Sequence, residues 1–366
     1  MPKAQADTAA YIFLAELCER IRRDGPMPVD QFMQACLDDP VHGYRLKLHT
    51  IGADGDFVTA PEISQVFGEL IGLWCVVAWE GMGRPAPLRL VELGPGRGTL
   101  MRDALRAAKA LPPFLDAATV HLIEISRPLH RLQRGLLLPR NEGEKSSPNI
   151  TWQEVVDEVP VGAAIVVANE FLDALPIRQL VHHDGAWHER VVDVGPGGGL
   201  RFAAGPKVQY ACAAPQPGTI VELRAGEDHL FAKLAARPAP LVALFVDYGP
   251  ADPSFGDTLQ AVRRHGYSDP LAEPGMADLT AHVLFAALAG KARLAGLAVE
   301  GPITQAEFLG RLGIAERTAR LMAANPRRAG EIETATQRLM SPTGMGQLFK
   351  AMAVLSPGLP PPPAFG

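Results

Sequence analysis

One nine-residue stretch constrains this chain more than any other: Val91-Glu92-Leu93-Gly94-Pro95-Gly96-Arg97-Gly98-Thr99. A short apolar run over residues 88–93 feeds three glycines separated by single residues, and Thr99 opens a run with helical spacing to residue 110. A strand that enters a tight glycine turn and leaves as a helix brings its backbone close to a ligand and points helix N–H groups at it. The alternation continues downstream. Residues 119–125 read as a second strand, and Pro128 suits the first turn of the helix after it. Residues 163–168 form a third strand closed by Asn169-Glu170, and residues 241–246 form another that ends at Asp247-Tyr248-Gly249. Strand and helix in this order predict an α/β fold, a mostly parallel sheet with helices on both faces.

The glycine spacing separates ligand classes. A dinucleotide fingerprint is GxGxxG, and here Thr99 stands where its third glycine would be. The Lys-Ser/Thr pair of a phosphate-binding P-loop is absent too, so nicotinamide and triphosphate cofactors are disfavoured. GxGxG preceded by an acid on the strand resembles instead the nucleotide loop of class I S-adenosyl-L-methionine (SAM) methyltransferases, with a Rossmann-like core. Glu124 ends the second strand, where a carboxylate accepts hydrogen bonds from a ribose diol and repels an extra phosphate. The cofactor-binding candidates are Glu92, Gly94, Gly96, Gly98, Thr99 and Glu124, with Asn169 placed to orient the methionine part. A plain turn before a helix and a solvated strand-end glutamate are the competing readings.

Composition excludes other classes. Hydrophobic residues make up 47% of the 366, enough for a sizeable core. A net charge of -5 lacks the basic excess of a general nucleic-acid binder. Cys18, Cys36, Cys75 and Cys212 form no CxxC, which rules out a zinc ribbon and points to reduced thiols. His182, His183 and His188 lack acidic or cysteine partners at ligand spacing, so no metal is expected. The longest apolar run, residues 70–79, is far short of the ~20 residues of a spanning helix. Residues 1–10 are polar and alanine-rich, and the first arginine is Arg20, which argues against secretory and transit peptides and for a cytoplasmic location.

Residues 8–23 and 30–37 read as helices, residues 39–62 as irregular, and Ser64 as the cap of a helix running to residue 79. Trp74 and Trp79, with Leu70 and Leu73, make an apolar stripe on that helix, read as core. Residues 1–80 are thus an N-terminal helical or lid region. Residues 81–176 and 240–356 form the core with helical additions, mostly helical from residue 281 but with a strand near 297–300. Residues 177–239 form a β-rich insertion. Five prolines in residues 357–366 predict a disordered tail.

Several longer strings resemble one family, the MidA-type SAM-dependent protein arginine methyltransferases, which include a mitochondrial complex I assembly factor. They are Gly55-Asp56-Phe57-Val58-Thr59-Ala60-Pro61-Glu62-Ile63-Ser64-Gln65-Val66-Phe67-Gly68-Glu69, the glycine loop, His121-Leu122-Ile123-Glu124, Asn169-Glu170-Phe171-Leu172-Asp173-Ala174-Leu175-Pro176, Asp247-Tyr248-Gly249 and Asp278-Leu279-Thr280-Ala281-His282-Val283. The resemblance covers most of residues 10–350. It implies SAM as cofactor and ω-N methylation of an arginine on a respiratory complex I subunit or its bacterial homologue. A methyltransferase of a small molecule or another residue, and a SAM-binding assembly factor with little catalysis, remain as alternatives.

A guanidinium nucleophile has a free pKa above ~12 and must be oriented before it can lose a proton. Carboxylates do this by paired hydrogen bonds and by stabilising the cation formed in transfer. Glu170 and Asp173, beyond the third strand, are the catalytic candidates, with Glu62 on a lid over the cofactor. Asp173 and Glu62 could equally serve as helix caps. Asp247, Tyr248, Asp278 and His282 are further candidates for lining the cleft.

Overall fold

The computed structural model describes residues 3–47, 55–138, 148–211 and 215–366, with side chains from residue 10 onward. Gly52-Ala53-Asp54 and Cys212 lie outside the described residues. The rest group into two units: Met1–Phe57, Asp173–Gly226 and Ser254–His282 in the first, Val58–Leu172, Glu227–Pro253 and Val283–Gly366 in the second.

The second unit is built on a seven-stranded sheet. Its strands in chain order are β1 (Leu88–Leu93), β2 (Ala118–Ile123), β3 (Asn149–Gln153), β4 (Ala163–Asn169), β5 (Leu241–Tyr248), β6 (Ala298–Thr304) and β7 (Phe349–Leu355). Across the sheet they run β3-β2-β1-β4-β5-β7-β6. The first five are parallel, while β7 is antiparallel to both β5 and β6. Parallel strands covered on both faces read as continuous apolar runs, and β4 and β5 are buried almost throughout. The strand order reverses between β1 and β4. In open α/β sheets ligands bind outside the carboxyl ends of the strands at such a reversal.

Neither β3 nor β7 is anticipated by the sequence pattern. Phe-Lys-Ala-Met-Ala-Val-Leu is a seven-residue stretch, apolar but for Lys350, in a helical region, and periodicity cannot tell such a run from a buried helix segment. Pairing with β5 over all of residues 349–355 decides it.

Helix α1 (Gln65–Gly81) starts where expected, with the Ser64 hydroxyl accepting from the Val66 N–H at 3.2 Å. It crosses α2 (Thr99–Ala108) at Gly68 and Gly72. A Cβ on Gly72 would sit 2.4 Å from the Ala104 carbonyl oxygen and 2.5 Å from its Cα. In an exposed helix, Gly→Ala gains about 1 kcal/mol. Here the sign is reversed: Gly72→Ala is expected to cost about 2–3 kcal/mol by forcing two backbones apart. Urea unfolding checks this; a midpoint equal to or above that of the wild type would refute the close crossing.

Two sequence expectations are corrected here. The stretch at residues 58–80 packs with the core unit rather than standing apart, because α1 buries Phe67, Ile71 and Trp74 in the same apolar cluster as β1, β4 and β5. The proline-rich end is ordered. The Trp74 indole N–H donates to the Pro363 carbonyl at 3.0 Å, Arg311 donates to the Ala364 carbonyl at 2.7 Å, and the Phe365 ring lies 5.6 Å from that of Phe308. Proline backbone needs only its acceptors satisfied, and Trp74 and Arg311 supply donors while Leu359 and Phe365 join the core.

The first unit holds an antiparallel sheet in which strands Met27–Pro28, Ala186–Val194, Arg178–His183 and Ile220–Leu223 lie in that order, with Leu200–Val208 also paired to Ala186–Val194. A smaller sheet joins Gly266–Ser268, Gln260–Arg263 and Asp278–Thr280. Helices Lys3–Asp24 and Val29–Asp38 pack Phe13, Leu17, Phe32 and Met33 against Ile177, Val192 and Leu279. Residues 254–282 therefore belong with this unit, not with the core to which the alternating pattern assigned them, because Leu259, Ala261 and Leu279 enter its apolar cluster. Among the described residues, no helix is long and apolar enough to cross a membrane.

Candidate active site

The site is built at the carboxyl ends of β1, β2 and β4 in the second unit. Gly94, Gly96 and Gly98 all adopt left-handed backbone, with φ of 65°, 53° and 85°. This is why single residues separate them: each bend needs a residue without a Cβ. The Gly98 N–H donates to the Pro95 carbonyl at 2.7 Å and closes the turn, and Gly98 is the N-cap of α2. The Gly94 N–H bonds the Ile123 carbonyl at 3.0 Å, so the loop leaves the sheet one residue beyond β1.

Two acids flank the loop. Glu92, in β1, is 3% exposed, and its Oε2 has no hydrogen-bond partner. Burial, reinforced by the neighbouring Glu124 carboxylate, pushes its pKa up to about 8. Glu124 follows β2; its Oε1 accepts from the Ser126 N–H at 2.7 Å, and its own N–H bonds the Gln153 carbonyl at 2.9 Å. The raised Glu92 value has a measurable sign. The folded state keeps a proton that the unfolded chain releases above the ordinary value of 4.5. The stabilisation from that proton is full at low pH and is lost as pH rises towards about 8. The urea midpoint of the ligand-free protein is expected to fall between pH 5 and 8, and Glu92→Gln to flatten the slope; equal slopes for the two proteins would refute the assignment.

Asn169 and Glu170 end β4. The Asn169 amide donates to Glu170 Oε1 at 3.1 Å, while Asn169 Oδ1 is buried without a partner. Glu170 has φ of 50°, an uncommon conformation for a residue with a side chain. The neighbouring strand holds it there: the Glu170 N–H donates to the Val246 carbonyl at 2.9 Å. The Asp247 carboxylate accepts from the N–H groups of Phe171 at 3.2 Å and Leu172 at 2.9 Å. Asp247 is thus a turn clamp, directed at backbone rather than lining the cleft. The Tyr248 ring packs on Phe349.

The stretch Thr59-Ala60-Pro61-Glu62 completes the arrangement. Glu170 Oε1 also accepts from the Ala60 N–H at 2.9 Å. The Thr99 hydroxyl donates to Glu62 Oε1, and Arg97 Nε lies 4.0 Å from Glu62 Oε2. Glu62 is therefore tied to the glycine loop and to the first residue of α2, and Glu170 to the turn that carries Glu62.

Asp173 belongs to the first unit, where it is buried and its carbonyl accepts from the Ala281 N–H at 3.0 Å. Its carboxylate and burial together raise Asp278 to about 7, burial being the larger cause, against the pull of Arg45. His282, also in the first unit, is shifted down by burial, and its carbonyl accepts from Arg224 at 2.7 Å. Sequence spacing misses one residue of the site altogether, Gln133, which is fully buried. Between Leu132 and Arg134 on an amphipathic helix, it reads as surface.

Chemically, the second unit offers a glycine cradle, two strand-end carboxylates, and two buried oxygens without hydrogen-bond partners, Glu92 Oε2 and Asn169 Oδ1. A ligand carrying ammonium and hydroxyl donors fits that set; a polyphosphate does not. No cluster of three or more His, Cys, Asp or Glu among the described residues is arranged to hold a metal.

The chain is similar to known proteins. Residues 70–303 match the family model of S-adenosyl-L-methionine-dependent methyltransferases. The mitochondrial protein arginine methyltransferase NDUFAF7 of Xenopus tropicalis is 36% identical over 96% of this chain and 88% of its own length. The Drosophila melanogaster homologue of NDUFAF7 is 36% identical over 97% of this chain and 87% of its own. A crystal structure of a protein from Burkholderia thailandensis, bound to S-adenosyl-homocysteine, superposes with a TM-score of 0.84 at 28% identity, covering 100% of this chain and 96% of that one. On the family match and on relatives above 30% identity over nearly the whole chain, this chain belongs to the S-adenosyl-L-methionine-dependent methyltransferase family.

Proposed function

We propose that this chain is a protein arginine N-methyltransferase whose substrate is a subunit of respiratory complex I or its bacterial homologue. The observation that carries the reading is the placement of Glu170. Its carboxylate is fixed by two donors, the Ala60 N–H and the Asn169 amide, at the end of β4 beside the glycine loop. A guanidinium needs a preorganised anion of this kind, because it must be held in line before it can accept a methyl group. The relatives named protein arginine methyltransferases support the same reading.

SAM supplies a methyl group on a sulfonium when bound. Gly94, Gly96 and Gly98 receive it on bare backbone, Glu124 accepts from its ribose hydroxyls, and Glu92 and Asn169 Oδ1 take the donors of its methionine end. Glu170 orients the guanidinium and stabilises the cation formed in transfer. Glu62, held by Thr99, keeps the Thr59–Glu62 turn over the loop and limits water there. We place its action in the cytoplasm; the relatives carry mitochondrial in their names.

Mass spectrometry of methylarginine in complex I from cells with and without the protein tests this. The expected result is one arginine that loses its methylation when the protein is absent. An unchanged methylarginine pattern would overturn the substrate assignment.

A further inference from the structure

Gln133 has no counterpart among the motifs of the sequence, yet it is fully buried in α3 (Arg127–Leu137) and every polar atom of its amide is used. Its nitrogen donates to the Gly96 carbonyl at 2.7 Å and reaches Glu124 Oε2 in a longer contact of 3.4 Å. Its oxygen accepts from the Trp152 indole N–H at 2.8 Å. An indole is a donor only, so the amide oxygen must face Trp152 and both amide hydrogens must face the loop and the acid. The stem lies against the turn as well: a Cβ on Gly98 would meet Gln133 Cγ at 3.4 Å. Trp152 is itself held in place by the Arg134 guanidinium, 4.1 Å from its ring centre.

We propose that Gln133 is a positioning residue for the cofactor site, which sets the glycine loop and Glu124 in mutual register. The two ligand-binding features come from different elements, the β1–α2 loop and the end of β2; the backbone ladder between them ends at the Gly94 N–H and the Ile123 carbonyl, and the Gly96 carbonyl and the Glu124 carboxylate lie beyond it. One amide spans them. It offers Glu124 a donor and no acceptor, its oxygen being taken by Trp152. Glutamate in its place would set a second acid against Glu124. A shorter amide could not reach both partners and Trp152 at once. This rests on the reading of Glu124 as a cofactor ligand.

The test is isothermal titration with S-adenosyl-homocysteine, on the full chain, with thermal unfolding run alongside. Gln133→Met keeps length and volume but removes the donors and the acceptor; it is expected to weaken binding by about tenfold, the scale of a hydrogen bond to a charged group. Gln133→Glu keeps the acceptor towards Trp152 and adds a charge beside Glu124, so its loss should exceed that of Gln133→Met. Glu124→Gln is measured as well, and so is the double variant. If Gln133 acts through Glu124, the double variant binds no more weakly than Glu124→Gln beyond about twofold. Two independent losses that simply add would overturn the proposal, as would Gln133→Met and Gln133→Glu that both bind like wild type. If they bind like wild type while Glu124→Gln is weakened, the fault lies with Gln133 alone. If Glu124→Gln also binds normally, the reading of Glu124 falls with it.

Discussion

Replacing Glu170 by glutamine is expected to lower methyl transfer by a factor of about 100–1,000, the scale found when one preorganised electrostatic partner is removed from a transition state. Affinity for S-adenosyl-homocysteine should stay at the wild-type level. The variant isolates charge from architecture. Glu170 Oε1 serves as an acceptor for the Ala60 N–H and the Asn169 amide, and a glutamine oxygen accepts from both in the same way. The left-handed backbone at residue 170 is held from outside, by the Val246 carbonyl and the Asp247 carboxylate, and does not depend on the Glu170 side chain. What is lost is the negative charge that orients and stabilises the guanidinium. Single-turnover rates with a purified substrate subunit, set beside titration of the cofactor product, measure both quantities. Activity above about a tenth of wild type would remove Glu170 from the chemistry. A parallel fall in cofactor affinity would show that it acts on the cofactor instead.

Gly94→Val should abolish measurable binding of S-adenosyl-homocysteine. Gly94 has φ of 65°, where a β-branched side chain is a steric outlier and the strain is of order 1–3 kcal/mol. The added Cβ would also lie 2.9 Å from Phe171 Cδ2, in the turn that carries Glu170. The substitution thus distorts the cradle and pushes on the nucleophile side together. Gly94→Ala, with less bulk, should retain weakened binding. The Gly94→Ala/Phe171→Ala pair separates the two causes: it relieves the collision but not the left-handed strain. Circular dichroism and the unfolding midpoint establish that each variant is folded before the titration is read. A folded Gly94→Val protein with wild-type affinity would mean that the loop is only a turn.

The strand-loop-helix unit from residue 88 to 108 was legible because each of its signals is local. An apolar run, glycines at positions that need left-handed backbone, and a helix-opening threonine all act within a few residues. Ser64 as a cap and Pro128 in a first turn belong to the same class, and both stand where the chain placed them. The positions of Glu124 and Asn169 at the ends of apolar runs were legible for the same reason, and the carboxyl ends of parallel strands gather on one edge of the sheet.

What failed depended on partners far away in the chain. Residues 349–355 are a strand because β5, a hundred residues earlier, offers an open edge. The proline-rich end is ordered because Trp74 and Arg311 present donors to it. Asp247 looked like a cleft residue and turned out to be the clamp of the 170–172 turn.

The sequence by itself therefore determined the fold class and the strand, glycine turn and helix of residues 88–108, because those follow from periodicity and glycine stereochemistry over short spans. Only the tertiary structure decided that Asp247 clamps the 170–172 turn and that Gln133 joins the loop to Glu124. A hydrogen bond across 37 residues, such as that from Gln133 to Gly96, leaves no periodic trace in the chain; it exists only once packing has removed both groups from water and made each the other's partner.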